Sequence, residues 1–156
     1  MQKITPFLWF DNQAEEAMAF YTSIFKKSKA GPVTRYGEAG PGSAGNVLTA
    51  SFELEGLQFT ALNGGPHFKF TEAISFSIDC ETQTEVDYFW DKLSQGGQTQ
   101  QCGWLKDKFG LSWQVVPSAL PRLLNDADRD KANRVMQAML TMEKIVIAKL
   151  EQAYNG

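Results

Sequence analysis

A chain of 156 residues suits one compact domain, and its 43% hydrophobic residues, 11 of them Phe among the aromatics, are enough to fill a core. The formal net charge of -3 argues against sequence-independent binding to nucleic acid, which needs a basic surface, and no Lys/Arg cluster offsets it. No apolar run approaches the ~20 residues of a membrane-spanning helix.

In chain order, Ile4–Phe10 is bulky and β-prone, which predicts a strand with Pro6 near its start or at an edge, because Pro6 lacks a backbone donor. Asp11-Asn12 closes it. Ala14–Phe25 follows as a predicted helix, with Ala17, Phe20, Tyr21, Ile24 and Phe25 making one apolar stripe at helical spacing. Val33–Gly37 reads as a short strand, and the run Ala39–Gly45, with Gly40, Pro41, Gly42 and Gly45, as a loop. Val47–Glu55 and Leu57–Asn63 form a predicted hairpin around Glu55-Gly56, a tight-turn pair. Gly64-Gly65-Pro66 then breaks the pattern.

The order restarts. Ala73–Cys80 predicts a strand and Gln83–Ser94 a helix, with Val86, Phe89, Trp90 and Leu93 inward, Thr82 or Thr84 as cap and Gly96-Gly97 as stop. Gln98–Cys102, Trp104–Asp107 and Leu111–Val116 supply three more strands. An Asp107-x-x-Gly110 turn feeds the last of these. Alternation puts Ser112, Gln114 and Val116 on one face and Leu111, Trp113 and Val115 on an apolar face. Both halves therefore read β-α-β-β-β. The fold class is α+β: paired βαβββ modules with a C-terminal helical tail. The expected division of a single domain, 1–156, is a first module over 1–66, a second over 67–117 and a tail over 118–156. In the tail Ser118–Leu124 makes a helical turn, Arg129–Met142 a helix and Ile145–Tyr154 a further helical segment.

The residues that carry chemistry are few. His67, the sole histidine, lies in the linker between modules, where a surface or packing role is the expectation. Cys80 ends a strand, and Cys102 precedes Gly103-Trp104. Neither has an obvious base or cationic partner in sequence, so a nucleophilic role has little support, and without a secretion signal two reduced thiols are expected. Met1–Phe10 lacks the long apolar stretch of a secretion signal, so a cytoplasmic location is expected. Glu15 and Glu16 suit a helix start. Asp79 and Glu81 flank a strand end. Trp9 shares parity with Thr5 and Phe7, and Ser75 shares a face with Ser77.

Several stretches resemble a known family. Phe10-Asp11-Asn12-Gln13-Ala14-Glu15-Glu16-Ala17 followed by Phe20-Tyr21, Asn63-Gly64-Gly65-Pro66-His67-Phe68, Ala73-Ile74-Ser75-Phe76-Ser77 and the tail Arg134–Ile145 are similar to the PhnB-like branch of the vicinal oxygen chelate superfamily. That superfamily includes glyoxalase I, extradiol dioxygenases and bleomycin-resistance proteins. The branch carries the description of a demethylubiquinone 3-methyltransferase-type domain, and the resemblance extends over nearly the whole chain. It implies half-barrels around a cavity, with metal ligands in the metal enzymes on the first and last strands of each module. By approximate alignment those positions fall near Thr5, Ala61 or Asn63, Ala73 or Ser75, and Gln114. None is His, Asp, Glu or Cys, and a transition metal needs three or four basic donors. No metal and no cofactor are therefore expected. The Gly-rich run Gly37–Gly42 lies between strands, unlike the strand-to-helix turn that holds nucleoside cofactors. The reading is a binding protein for an unknown small molecule, with Thr5, Phe7, Trp9, Asn63, Ser75, Ser77 and Gln114 as lining. A homodimer is expected from the apolar tail, Arg129–Tyr154. The alternatives are an enzyme, either the methyltransferase that the family description implies or another metal-independent one, and a purely structural dimer module.

Overall fold

The computed structural model describes residues 1–156. They divide into two compact units, Met1–Lys69 and Phe70–Gly156. In the first unit, strand β1 (Phe7–Phe10), helix α1 (Ala14–Ile24) and strands β2 (Ser28–Arg35), β3 (Val47–Leu54) and β4 (Leu57–Asn63) build one sheet in the order β1-β4-β3-β2. The β1–β4 pair is parallel and the others antiparallel. Period-2 alternation sorts the side chains. Leu8, Phe10, Ala50, Phe52, Phe59 and Ala61 are buried, as are Ala14, Ala17, Tyr21 and Ile24 of α1. Ala50 and Ala61 face each other in register, and their small side chains leave room for the helix. Tyr21 stacks on Phe52 and Phe52 on Phe59, with centroids 5.9 and 5.5 Å apart. Such offset pairs contribute about 0.5–1.5 kcal/mol beyond their buried area.

The Glu55-Gly56 turn has φ of 49° and 85°, the doubly left-handed pair that a two-residue hairpin needs. Strand β2 starts at Ser28, earlier than the pattern predicts. Gly31-Pro32 reads as a break, but it sits at a register irregularity between Ala30 and Val33 on an edge strand, where a missing donor is tolerated.

The second unit repeats the scheme with β5 (Ser75–Cys80), α2 (Gln83–Ser94), β6 (Gln98–Thr99), β7 (Trp104–Lys106) and β8 (Ser112–Pro117), in the order β5-β8-β7-β6. Thr82 caps α2, its hydroxyl accepting the Glu85 N–H at 3.2 Å. Strand β6 stops at Thr99 because Cys102, at φ 62°, and Gly103, at φ 83°, turn the chain. Asp107 is 2% exposed, and its carboxylate accepts from Phe109 N at 2.9 Å, Leu111 N at 3.1 Å and the Trp113 indole N–H at 2.9 Å. That one side chain fixes both the turn and the inward ring of β8.

The tail continues the second unit as α3 (Ala119–Leu124), α4 (Arg129–Leu140) and α5 (Ile147–Asn155). Leu120, Leu123, Val135, Met142, Ile145 and Leu150 bury one another in a cluster. The expectation of a surplus apolar tail is corrected here, because most of the stripe is covered within the chain. Met136 and Leu140 stay 40% and 57% exposed. Backbone bonds from Cys102 N to Met142 O and from Gly103 N to Glu143 O, both 2.8 Å, tie the tail to the turn after β6. No helix is long and apolar enough to cross a membrane.

Candidate functional site

Alternation leaves one face of each sheet without a helix of its own module. In the first unit that face carries Phe7 and Trp9 of β1, Thr60 and Leu62 of β4, and Thr49 and Ser51 of β3, aligned by register. Phe7 is 61% exposed, and Thr5, exposed, precedes the strand. Trp9 is half-buried and held on two sides. Its indole N–H donates to Gly65 O at 2.8 Å, and Phe68 meets its ring edge-on at 4.9 Å. Gly64 lies against the ring so closely that a Cβ there would come within 2.3 Å of it.

Beside Trp9 lies an open apolar pocket of about 370 Å³, lined by Trp9, Leu48, Leu62 and Tyr36 together with Gly37, Gly40, Pro41 and Gly64. Tyr36 is fixed by its hydroxyl, which donates to Asn63 O at 2.5 Å. The loop after β2 lies along its ring, since a Cβ on Gly40 or Gly42 would strike it at 2.6 or 2.4 Å. The parity argument reaches Trp9. It misses Tyr36, Leu48 and Leu62, for which the only signal is the glycine-rich run beginning directly after a tyrosine. A second cavity of about 550 Å³ adjoins at the far side of Tyr36, with Asp11, Glu15, Arg35, Asn46 and His67 among its lining. His67, expected on the surface, is exposed and borders this cavity.

Asn63 stands apart from Phe7 and Trp9. It pairs in register with the buried Phe10, on the α1 side of the sheet. Its Oδ1 accepts the Ala14 N–H at 2.8 Å and its Nδ2 donates to Val47 O at 3.2 Å. Gln13, the N-cap residue of α1, gives no side-chain cap, so Asn63 supplies one from a distant strand.

In the second unit Ser75 and Ser77 of β5 and Ser112 and Gln114 of β8 share a face, with Ser75 opposite Ser112 and Ser77 opposite Gln114. Gln114 Nε2 donates to Ser75 Oγ at 2.9 Å, while Ser77 is exposed. Ser112 is fully buried, and its hydroxyl has no hydrogen-bond partner. Lys106, register partner of Ser112, pairs with Glu72 at 2.9 Å. That ion pair is the first of the causes that hold the Glu72 carboxyl below its usual range.

The positions that the resemblance assigns to a metal do not fit one. Ala61 is buried and offers no donor, Asn63 is committed to backbone, and Gln114 is a neutral amide bonded to a hydroxyl. No three His, Cys, Asp or Glu side chains are grouped as a ligand set. A nucleoside-type methyl donor fits no better in the usual mode, because Gly37–Gly42 connects the antiparallel strands β2 and β3 and opens no helix. Burial, with Glu85 and Asp79 adding to it, pushes the Cys80 thiol up to about 12, which removes it as a nucleophile at neutral pH.

Comparison with known proteins places these features in a family. The model of the 3-demethylubiquinone-9 3-methyltransferase family matches residues 2–116. The match ends within β8, so the tail resemblance read from the sequence lies beyond the matched residues. A Bacillus cereus PhnB protein described as a 3-demethylubiquinone-9 3-methyltransferase is 42% identical, over 75% of this chain and 100% of that one, with a TM-score of 0.68. Protein PA1353 from Pseudomonas aeruginosa is 20% identical over 75% and 98% of the two chains, with a TM-score of 0.62. The fosfomycin resistance protein FosX from Listeria monocytogenes, 13% identical over 76% and 93% at a TM-score of 0.53, shares the fold. No curated protein matches the sequence. The chain belongs to the 3-demethylubiquinone-9 3-methyltransferase family, with a PhnB protein among its members.

Proposed function

We propose that this chain binds a small, partly apolar molecule without a transition metal, and that the flat part of the ligand lies against Trp9. The observation that carries the reading is the apolar cavity of about 370 Å³ beside Trp9, Leu48 and Leu62. Ligand pockets are typically about 300–1,000 Å³, mainly hydrophobic, with a few placed polar groups. The indole is held by Gly65 O and Gly64 before any ligand arrives, so little ordering remains to oppose binding. Phe7 and Thr5 extend the same side of the first sheet. The second unit carries its own candidate binding surface, separate from the Trp9 pocket, in Gln114 with Ser75 and Ser77 beside it. One amide hydrogen of Gln114 is taken by Ser75, and the amide still has a second donor and a carbonyl oxygen that a ligand can use.

The rival is methyl transfer, on the strength of the name that the 42% identical Bacillus cereus protein carries. Mass spectrometry of purified protein identifies the molecule that co-purifies, and calorimetry with that molecule then compares wild type with Trp9→Ala. The substitution is expected to weaken binding by about 1–3 kcal/mol, roughly ten- to a hundredfold. Unchanged affinity rejects the reading. Methylated product from a short-chain demethylubiquinone and a methyl donor would establish the rival instead.

A further inference from the structure

The two cavities of the first unit share Tyr36, Pro41 and Gly64 as lining. Their chemistry differs. One is apolar, against Trp9, Leu48 and Leu62. The other collects Asp11 and Glu15, which accept, together with Arg35, which donates, and His67. Tyr36 borders both and is held in place, with its hydroxyl on Asn63 O and Gly40 and Gly42 against its ring, so it forms a fixed edge shared by the two compartments. Arg35 is positioned as well. One of its terminal nitrogens donates to Gly45 O at 3.1 Å, which leaves the rest of the planar fork available.

We propose that these compartments form one site for an aromatic zwitterion, with the ring against Trp9 and a head carrying both charges beyond Tyr36. The proposal rests on the Trp9 reading above and adds the chemistry of the head. A lone carboxylate in the polar compartment would gain Arg35 but face Asp11 and Glu15. A lone ammonium would gain the two carboxylates but face Arg35. A neutral head would make no charge-assisted bond of full strength to either. Only a head with an ammonium and a carboxylate meets both signs with attraction. The cavity is open to solvent at Arg35, Asp11 and Glu15, so each pair is worth a few-fold in affinity rather than orders of magnitude.

Nuclear magnetic resonance titration of the full chain tests this with four probes that share a phenyl ring: toluene, phenethylamine, phenylpropionate and free phenylalanine. The reporter is the Trp9 indole N–H, assigned by its absence in Trp9→Phe. Free phenylalanine is expected to bind about three- to tenfold more tightly than either singly charged probe. Arg35→Met should remove its advantage over phenethylamine, and Glu15→Gln should reduce its advantage over phenylpropionate. Neither should change the response to toluene. Equal affinity for all four probes, or tightest binding of a singly charged one, overturns the zwitterion assignment while leaving the Trp9 pocket intact. No response of Trp9 to toluene or to any other probe removes the Trp9 reading itself.

Discussion

Two buried polar side chains on or beside β8 show how differently such groups bear on stability. Asp107 satisfies three donors with one carboxylate, whereas the Ser112 hydroxyl, equally buried, satisfies none. Removing a partner that leaves buried donors unpaired costs about 1–3 kcal/mol for each, and removing a buried group that has no partner costs little. Asp107→Ala should therefore lower the unfolding free energy by at least about 3 kcal/mol. Ser112→Ala should leave it unchanged or raise it slightly. Urea denaturation of both variants checks the contrast, and an equal loss in the two would refute it. Gln114→Leu belongs between these limits, since Ser75 loses its donor and stability should fall by about 0.5–1.5 kcal/mol. The sequence shows the Asp107-x-x-Gly110 turn and the inward parity of Trp113, but not the bond between them. It could not show that Asn63 caps α1 either, because that role depends on β4 returning beside β1 in a particular register.

Among the elements, α2 is the one whose two ends are written locally, with Thr82 before it and a left-handed Gly96 after it. Its bounds, Gln83–Ser94, agree with the residue pattern. The start of β2 is written nowhere nearby. Gly31-Pro32 signals a break, and only pairing with β3 makes a strand of it. The tail is held in a way that periodicity also hides. Gln83 Nε2 donates to Ile145 O at 3.0 Å and Gln83 Oε1 accepts the Ile147 N–H at 2.8 Å, serving a helix with no side-chain cap of its own. Gln83→Ala should cost about 1–2 kcal/mol and speed hydrogen exchange in α5 more than in α1. A uniform change across both helices would show that the amide does not anchor the tail. Asp87 extends the anchor. The Gln83 amide first, and Lys144 second, hold its carboxyl below the usual range. A depressed carboxyl stabilises the fold above its unfolded value, and that contribution disappears as pH falls through the folded one. The protection of α5 amides, corrected for the intrinsic pH dependence of exchange, should accordingly fall on acidification below the ordinary carboxylate range. Asp87→Asn should flatten that dependence.

For the whole molecule the proposed homodimer is the open quantity. The tail buries most of its own stripe, but Ile4, Phe7, Met136 and Leu140 stay exposed, and apolar surface of this kind commonly marks an interface. Sedimentation equilibrium at micromolar concentration should give twice the chain mass of 17.4 kDa. A single species at the chain mass rejects the dimer, and a dimer that survives Met136→Lys with Leu140→Lys moves the interface away from α4. The parallel pairing of β1 with β4 has a consequence for synthesis. Phe7 meets Thr60, so β1 leaves the ribosome with no backbone partner until the last strand of its own unit has followed it out. Ser75 waits in the same way for Ser112. Each wait closes a loop within one unit, and loop-closure entropy grows only slowly with length. The N-terminal sheet can therefore be complete while the C-terminal one is still being translated, which shortens the time that two unpaired apolar strands coexist in a nascent chain.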